Sequence, residues 1–131
     1  MKLTPVSEIA EVEGSDLVYR GATLIVARAN NKNFKRMFRE VLKPHKKEFE
    51  DGRMDDNVAE DLMNGCIAKT ILVGWSSFKD VTGKEWKYTV QNAEALLKDD
   101  RDAFEAITEF SENIDNYIIE QEQEVKEKLS A

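Results

Sequence analysis

Cys66 and His45 are the only thiol and the only imidazole in the chain. A cysteine nucleophile needs both groups in one cleft, with a carboxylate to orient the ring. Their settings argue against it. His45 lies between Pro44 and a pair of lysines, a context that predicts exposure. Cys66 falls on the apolar side of a helical pattern, where a free thiol packs as a small hydrophobe. Carboxylates are abundant but not spaced for metal. Asp51-Gly52-Arg53-Met54-Asp55-Asp56 lacks the alternating ligands and closing glutamate of a calcium loop. Asp99, Asp100 and Asp102 gather at a helix start, where the helix dipole already favours negative charge. No Cys/His set for zinc, glycine-rich phosphate loop or Gly-x-Ser-x-Gly elbow occurs. These patterns predict no catalytic residues, no metal and no cofactor. The expectation is a protein that is not an enzyme.

The chain instead concentrates its aromatic area. Ile71–Phe78 followed by Lys79–Tyr88 holds both tryptophans and one of the three tyrosines. A buried aromatic of this size is worth about 2–3 kcal/mol. This segment is therefore expected to pin helical layers together. Trp75, Phe78 and Trp86 read either as core or as contact residues for a partner.

Composition narrows the remaining classes. The 131 residues fit one domain, 1–131. A net charge of −7 and a pI near 4.8 argue against unassisted binding to nucleic acid or to an anionic membrane. A single cysteine allows no internal disulfide and fits a reducing compartment. Met1–Pro5 runs into polar residues rather than a signal-peptide core, and apolar runs such as Ala22–Ala27 are too short to span a bilayer. A soluble, cytoplasmic protein is expected.

The elements that must position the aromatic segment can be read in order. Met1–Gly14 reads either as a short helical turn capped by Ser7 or as an edge strand. Leu17–Arg20 and Ala22–Arg28 read as a hairpin about Gly21, with Leu24 and Val26 on one face and Thr23 and Ile25 on the other. Asn33 is the expected cap of a helix through Leu42, with Phe34, Met37, Phe38 and Val41 on one side. Lys35, Arg36, Arg39, Lys43, Lys46 and Lys47 make this the one basic region, read either as a solvated face or as a contact for an acidic partner. Asp55 or Asp56 caps the next helix, whose apolar face runs to Thr70 and Ile71. Thr82-Gly83 marks a turn. Thr89 caps a short helix, and Asp99 or Asp100 caps a long final one in which Phe104, Ile107, Phe110, Ile114, Tyr117 and Ile118 keep helical spacing. Glu120–Ala131 is a polar tail, either frayed or ordering on a partner. The expected fold is α+β and mainly α: one compact domain with a small β-hairpin near the N-terminus and a long C-terminal helix.

Four segments share an order with a known family. Ala29–Phe34, Ala68–Trp75, Asp80–Lys84 and Tyr88–Leu97 together resemble the tail assembly chaperones of long-tailed, non-contractile (lambda-like) bacteriophages. Those proteins have an alanine-rich helix leading to Val-Gly-Trp, an Asp/Gly turn followed by lysine, and a Thr-capped helix with Asn-Ala and Leu-Leu. Their final helix ends near an aromatic, as Asp102-Ala103-Phe104 through Tyr117 does here. The chain departs from the pattern at Ser76-Ser77 and at the bulky Glu85-Trp86.

The resemblance implies a non-enzymatic role in tail morphogenesis, in the cytoplasm of the infected host. Such chaperones bind the tape-measure protein, the helical ruler of tail length, and help recruit tail tube protein. They are absent from the finished virion. In many such phages a frameshift adds a second domain to some copies, and Glu120–Ala131 is where it would attach. Coating a long ruler implies self-association. The candidate contact residues are Trp75, Phe78 and Trp86, with the apolar edge Ile114, Tyr117 and Ile118. The alternative reading is an acidic adaptor or inhibitor of a basic partner.

Overall fold

A computed structural model describes residues 8–118. The expected Ser7 cap and the polar tail 120–131 lie outside the described residues. The elements are α1 (Glu8–Glu13), β1 (Ser15–Tyr19), β2 (Ala22–Val26), α2 (Lys32–Leu42), α3 (Lys46–Glu50), α4 (Asp56–Thr70), β3 (Leu72–Ser76), α5 (Val90–Asp99) and α6 (Arg101–Glu112). Short 3-10 turns cover Lys43–His45 and Ile114–Asn116. The architecture is helix-dominated α+β, as the periodicities predict.

The hairpin forms where the sequence places it. Arg20 and Gly21 both take left-handed φ values, 48° and 82°, so the two-residue turn matches the strands' twist. Leu17 faces Leu24 across β1 and β2, and Leu24 faces Trp75 across β2 and β3. Ala22, Leu24 and Val26 are buried while Thr23 and Ile25 are only half-buried, the expected alternation.

The hairpin is two-thirds of a sheet. β3 completes an antiparallel order β1-β2-β3, with β2 central and a register shift between Ile25 and Val26. The expected apolar face of α4 runs to Ile71, and no strand is expected beyond it. α4 stops at Thr70, Ile71 bonds back to Ile67, and the Ile71 carbonyl accepts from Ala27 at 2.7 Å. Pairing with β2 makes the next five residues a strand.

The sheet packs on α4 and α6, α5 lies against both of those helices, and α2 packs on α4. Leu24, Val26, Leu72, Cys66, Ile67 and Ile107 are among the buried residues at these contacts.

Two helix boundaries differ from expectation. Asn31, not Asn33, caps α2: its Oδ1 accepts from Asn33 N and Phe34 N at 2.9 and 3.0 Å. Its Nδ2 donates to the Arg28 and Thr70 carbonyls at 2.8 and 3.0 Å. The buried Asn31 thus ties the α2 start to the α4 end, a bond no local pattern reveals. The final helix is also shorter than its apolar spacing predicts. Asn113 turns extended (ψ 107°), its side chain caps the following 3-10 turn, and Asn116 Nδ2 donates to Phe110 O at 2.8 Å. The Asp55, Thr89 and Asp100 caps form as expected.

Candidate functional site

The aromatic segment folds into a braced loop. After β3, Ser77 takes a left-handed φ of 57° and turns the chain outward. Lys79 and Glu85 pair antiparallel, so the Thr82-Gly83 turn closes a small hairpin. Asp80 organises its tip: Oδ1 accepts from Thr82 N at 2.9 Å, Lys84 N at 3.1 Å and the Thr82 hydroxyl. The Thr82 hydroxyl, followed by main-chain donors, holds the Asp80 carboxyl below the usual carboxylate range. Trp86 N donates to Phe78 O at 2.7 Å across the neck of the loop.

Four rings converge beneath that neck. The Trp75 centroid lies 5.1 Å from Phe78, 5.1 Å from Trp86 and 5.2 Å from Tyr88. Phe78 and Trp86 meet edge to face at 5.1 Å. Trp75 is buried and donates Nε1–H to Trp86 O at 2.6 Å. The Tyr88 hydroxyl reaches the Ala68 and Leu72 carbonyls at 2.9 and 2.8 Å, bracing the α4–β3 junction, and burial raises its pKa. Phe78 and Trp86 are only half-buried, and Val81 at the loop tip is fully exposed.

Phe78 and Trp86 line a cleft of about 730 Å³. Its other wall comes from the hairpin turn, through Tyr19 and Arg20, and from the α5 end, through Leu96, Asp99 and Asp100. The Tyr19 hydroxyl donates to the Asp100 carboxylate, 3.0 Å from each oxygen. Burial, then that bond, pushes the Tyr19 pKa up. Arg20, itself exposed, pairs with the exposed Asp102 at 3.4 Å and with the half-buried Asp100 at 3.9 Å, long contacts that contribute little stability. The chemistry on offer is an apolar floor with a mixed-charge rim, suited to binding a side chain or a helix edge.

The reactive residues do not converge on it. Cys66 is buried in α4, and burial raises its thiol pKa despite the opposing Lys69 charge. His45 is half-buried rather than exposed, because the 3-10 turn at Pro44 folds it back; Nδ1 lies 3.6 Å from Glu48 Oε2. Neither residue lines this cleft. Among the described residues no group of three or more His, Cys, Asp or Glu is placed to hold a metal.

The second group of candidates separates. Tyr117 is fully buried, donates its hydroxyl to Val26 O at 2.9 Å and packs edge to face on Phe110. Ile114 is exposed and Ile118 half-buried. The 3-10 turn breaks the helical face on which their spacing would have aligned them. Of the six residues, Ile114 is exposed and Phe78, Trp86 and Ile118 are half-buried, whereas Trp75 and Tyr117 belong to the scaffold.

A second groove, of about 590 Å³, runs between α2, α4 and α6. Phe34, Phe38, Met63 and Phe104 are among its walls. The Phe34–Phe38 stripe was legible as a core face; that it stays partly open was not.

The YdaY prophage protein family matches residues 29–128. The match begins at Ala29, and it takes in the aromatic loop, both clefts' helices and the 3-10 turn after α6. The chain belongs to the YdaY prophage protein family. It is therefore a phage-derived protein. No curated protein and no solved structure matches it. The YdaY family match agrees with the phage origin that the resemblance implied and is silent on the tail.

Proposed function

We propose that this YdaY-family protein is a non-enzymatic chaperone of phage tail assembly, acting in the host cytoplasm. It binds the tape-measure protein, helps recruit tail tube protein and leaves before the virion is complete. The observation that carries the reading is the aromatic cleft: Phe78 and Trp86 held side by side, half-exposed, on a loop braced by Asp80 and Trp75. A helical ruler in transit exposes apolar stripes, and a binder must offer an apolar surface without itself aggregating. The cleft supplies the surface and the net charge of −7 keeps the complex dispersed. Several copies bind one ruler, so self-association along it belongs to the same proposal. An acidic adaptor is less well supported, because carboxylates such as Asp51, Asp102 and Glu105 pair with neighbouring arginines instead of forming one bare stripe.

The test is genetic. Deleting the gene from an inducible prophage that carries it should leave filled heads without tails in electron micrographs, restored by the gene in trans. Normal tails in the deletion would refute the reading.

A further inference from the structure

The groove between α2, α4 and α6 lies apart from the aromatic cleft and shares no lining residue with it. We infer that it is a second docking surface, and that its occupant is an amphipathic helix with an acidic flank, contributed by another polypeptide. Ile67 and Ile71 form a buried floor, and Phe34, Phe38, Met63 and Phe104 stand around it. α2 and α6 both rest on the rest of the helical layer but share little contact with each other, so the groove stays open between them. A row of apolar side chains at i, i+3 or i+4 and i+7 fits such a surface.

Charge selects the kind of helix. Lys35 and Arg39 stand on the α2 rim, four residues apart and both exposed. Neither forms an ion pair among the described residues, although the chain has 26 acidic against 19 basic residues. Glu112 is the one acid on the wall, and it pairs with neither of them among those residues. Two cations about 6 Å apart along a helix match two carboxylates at the same i, i+4 spacing on an occupant. No described helix of this chain is left to fill the groove. The exposed large apolar residues, Ile9, Val18, Phe49, Val58, Val81 and Ile114, are scattered over six different segments and make no stripe.

The test uses the full-length protein and two fluorescent peptides of about 18 residues, about 27 Å of helix. Both carry the same leucine stripe; one has glutamates on its flanks, the other lysines. Fluorescence anisotropy should show the glutamate peptide binding about tenfold tighter. Lys35→Glu with Arg39→Glu should reverse that order without changing the circular dichroism spectrum, and added salt should shrink the difference. Phe78→Ala should leave the about tenfold preference for the glutamate peptide in place, because Phe78 does not line this groove, so a failure here is separable from a failure of the aromatic cleft. Equal binding of the two peptides, or no effect of the charge reversal, would overturn the inference. So would a tenfold gain in glutamate-peptide affinity on Val125→Asp with Leu129→Asp, which would assign the groove to the chain's own C-terminal segment. A dimer in light scattering that the charge reversal splits would assign it to a second copy, with the same consequence.

Discussion

Trp75 donates its indole N–H to the main-chain carbonyl of Trp86 at 2.6 Å, fastening the end of β3 to the returning arm of the loop. That bond sets the spacing of the aromatic cleft, since Phe78 and Trp86 both rest on the Trp75 ring.

Trp75→Phe retains most of the apolar area but removes the donor. It should cost about 1–3 kcal/mol, the penalty for stranding a partly buried carbonyl together with some lost packing. Urea unfolding should show a lower midpoint with an unchanged slope. An unshifted midpoint would mean that the indole bond does not hold the loop.

Tyr117 plays the matching role at the other end of the described chain. Its hydroxyl reaches Val26 O beside the register shift in the sheet. Tyr117→Phe should destabilise by about 1–2 kcal/mol and speed amide exchange in the β2–β3 region, read by hydrogen exchange. Equal exchange in both proteins would remove Tyr117 from the scaffold.

All three tyrosines, Tyr19, Tyr88 and Tyr117, have pKa values raised above the ordinary 10, burial being the first cause for each. The unfolded chain therefore loses these protons first as pH rises. Their contribution is fully present below about pH 10 and is lost above it. Titration of tyrosinate absorbance should show each tyrosine ionising later than a free phenol, with Tyr117, the most strongly shifted, ionising only as circular dichroism is lost. Asp80 has the opposite sign: its depressed pKa favours the folded loop above about pH 4, and that contribution fades as acid protonates it.

Cys66 should resist alkylation in the native protein and react fully in denaturant, since it is buried and its thiol pKa is raised. Rapid native labelling that a His45→Ala variant slowed would revive the idea of a thiol–imidazole pair.

Features set by neighbouring residues were legible in the sequence. The alternation of Leu24 and Val26, the turn at Gly21 and the caps Asp55, Thr89 and Asp100 depend on local backbone chemistry alone. The crowding of aromatics around Trp75 was visible as composition. What escaped depends on distant partners. β3 continues a helical spacing and becomes a strand only through β2. Asn31 outcompetes Asn33 because its amide also reaches Thr70. Ile114, Tyr117 and Ile118 keep helical spacing, but the Asn113 and Asn116 side chains end the helix before them. The far wall of the cleft, Tyr19 with Asp99 and Asp100, comes from segments that nothing in the aromatic stretch announces.

The most direct measurement is co-expression of the full-length protein with the tape-measure protein of the same prophage, followed by affinity purification of the YdaY-family protein. The wild type is expected to bring the tape measure into the soluble fraction and co-purify with it. Val81→Asp combined with Phe78→Ser should leave the YdaY-family protein folded and the tape measure in the pellet. A tape measure that stays insoluble with the wild type, or that co-purifies equally with the variant, would contradict binding through the aromatic cleft.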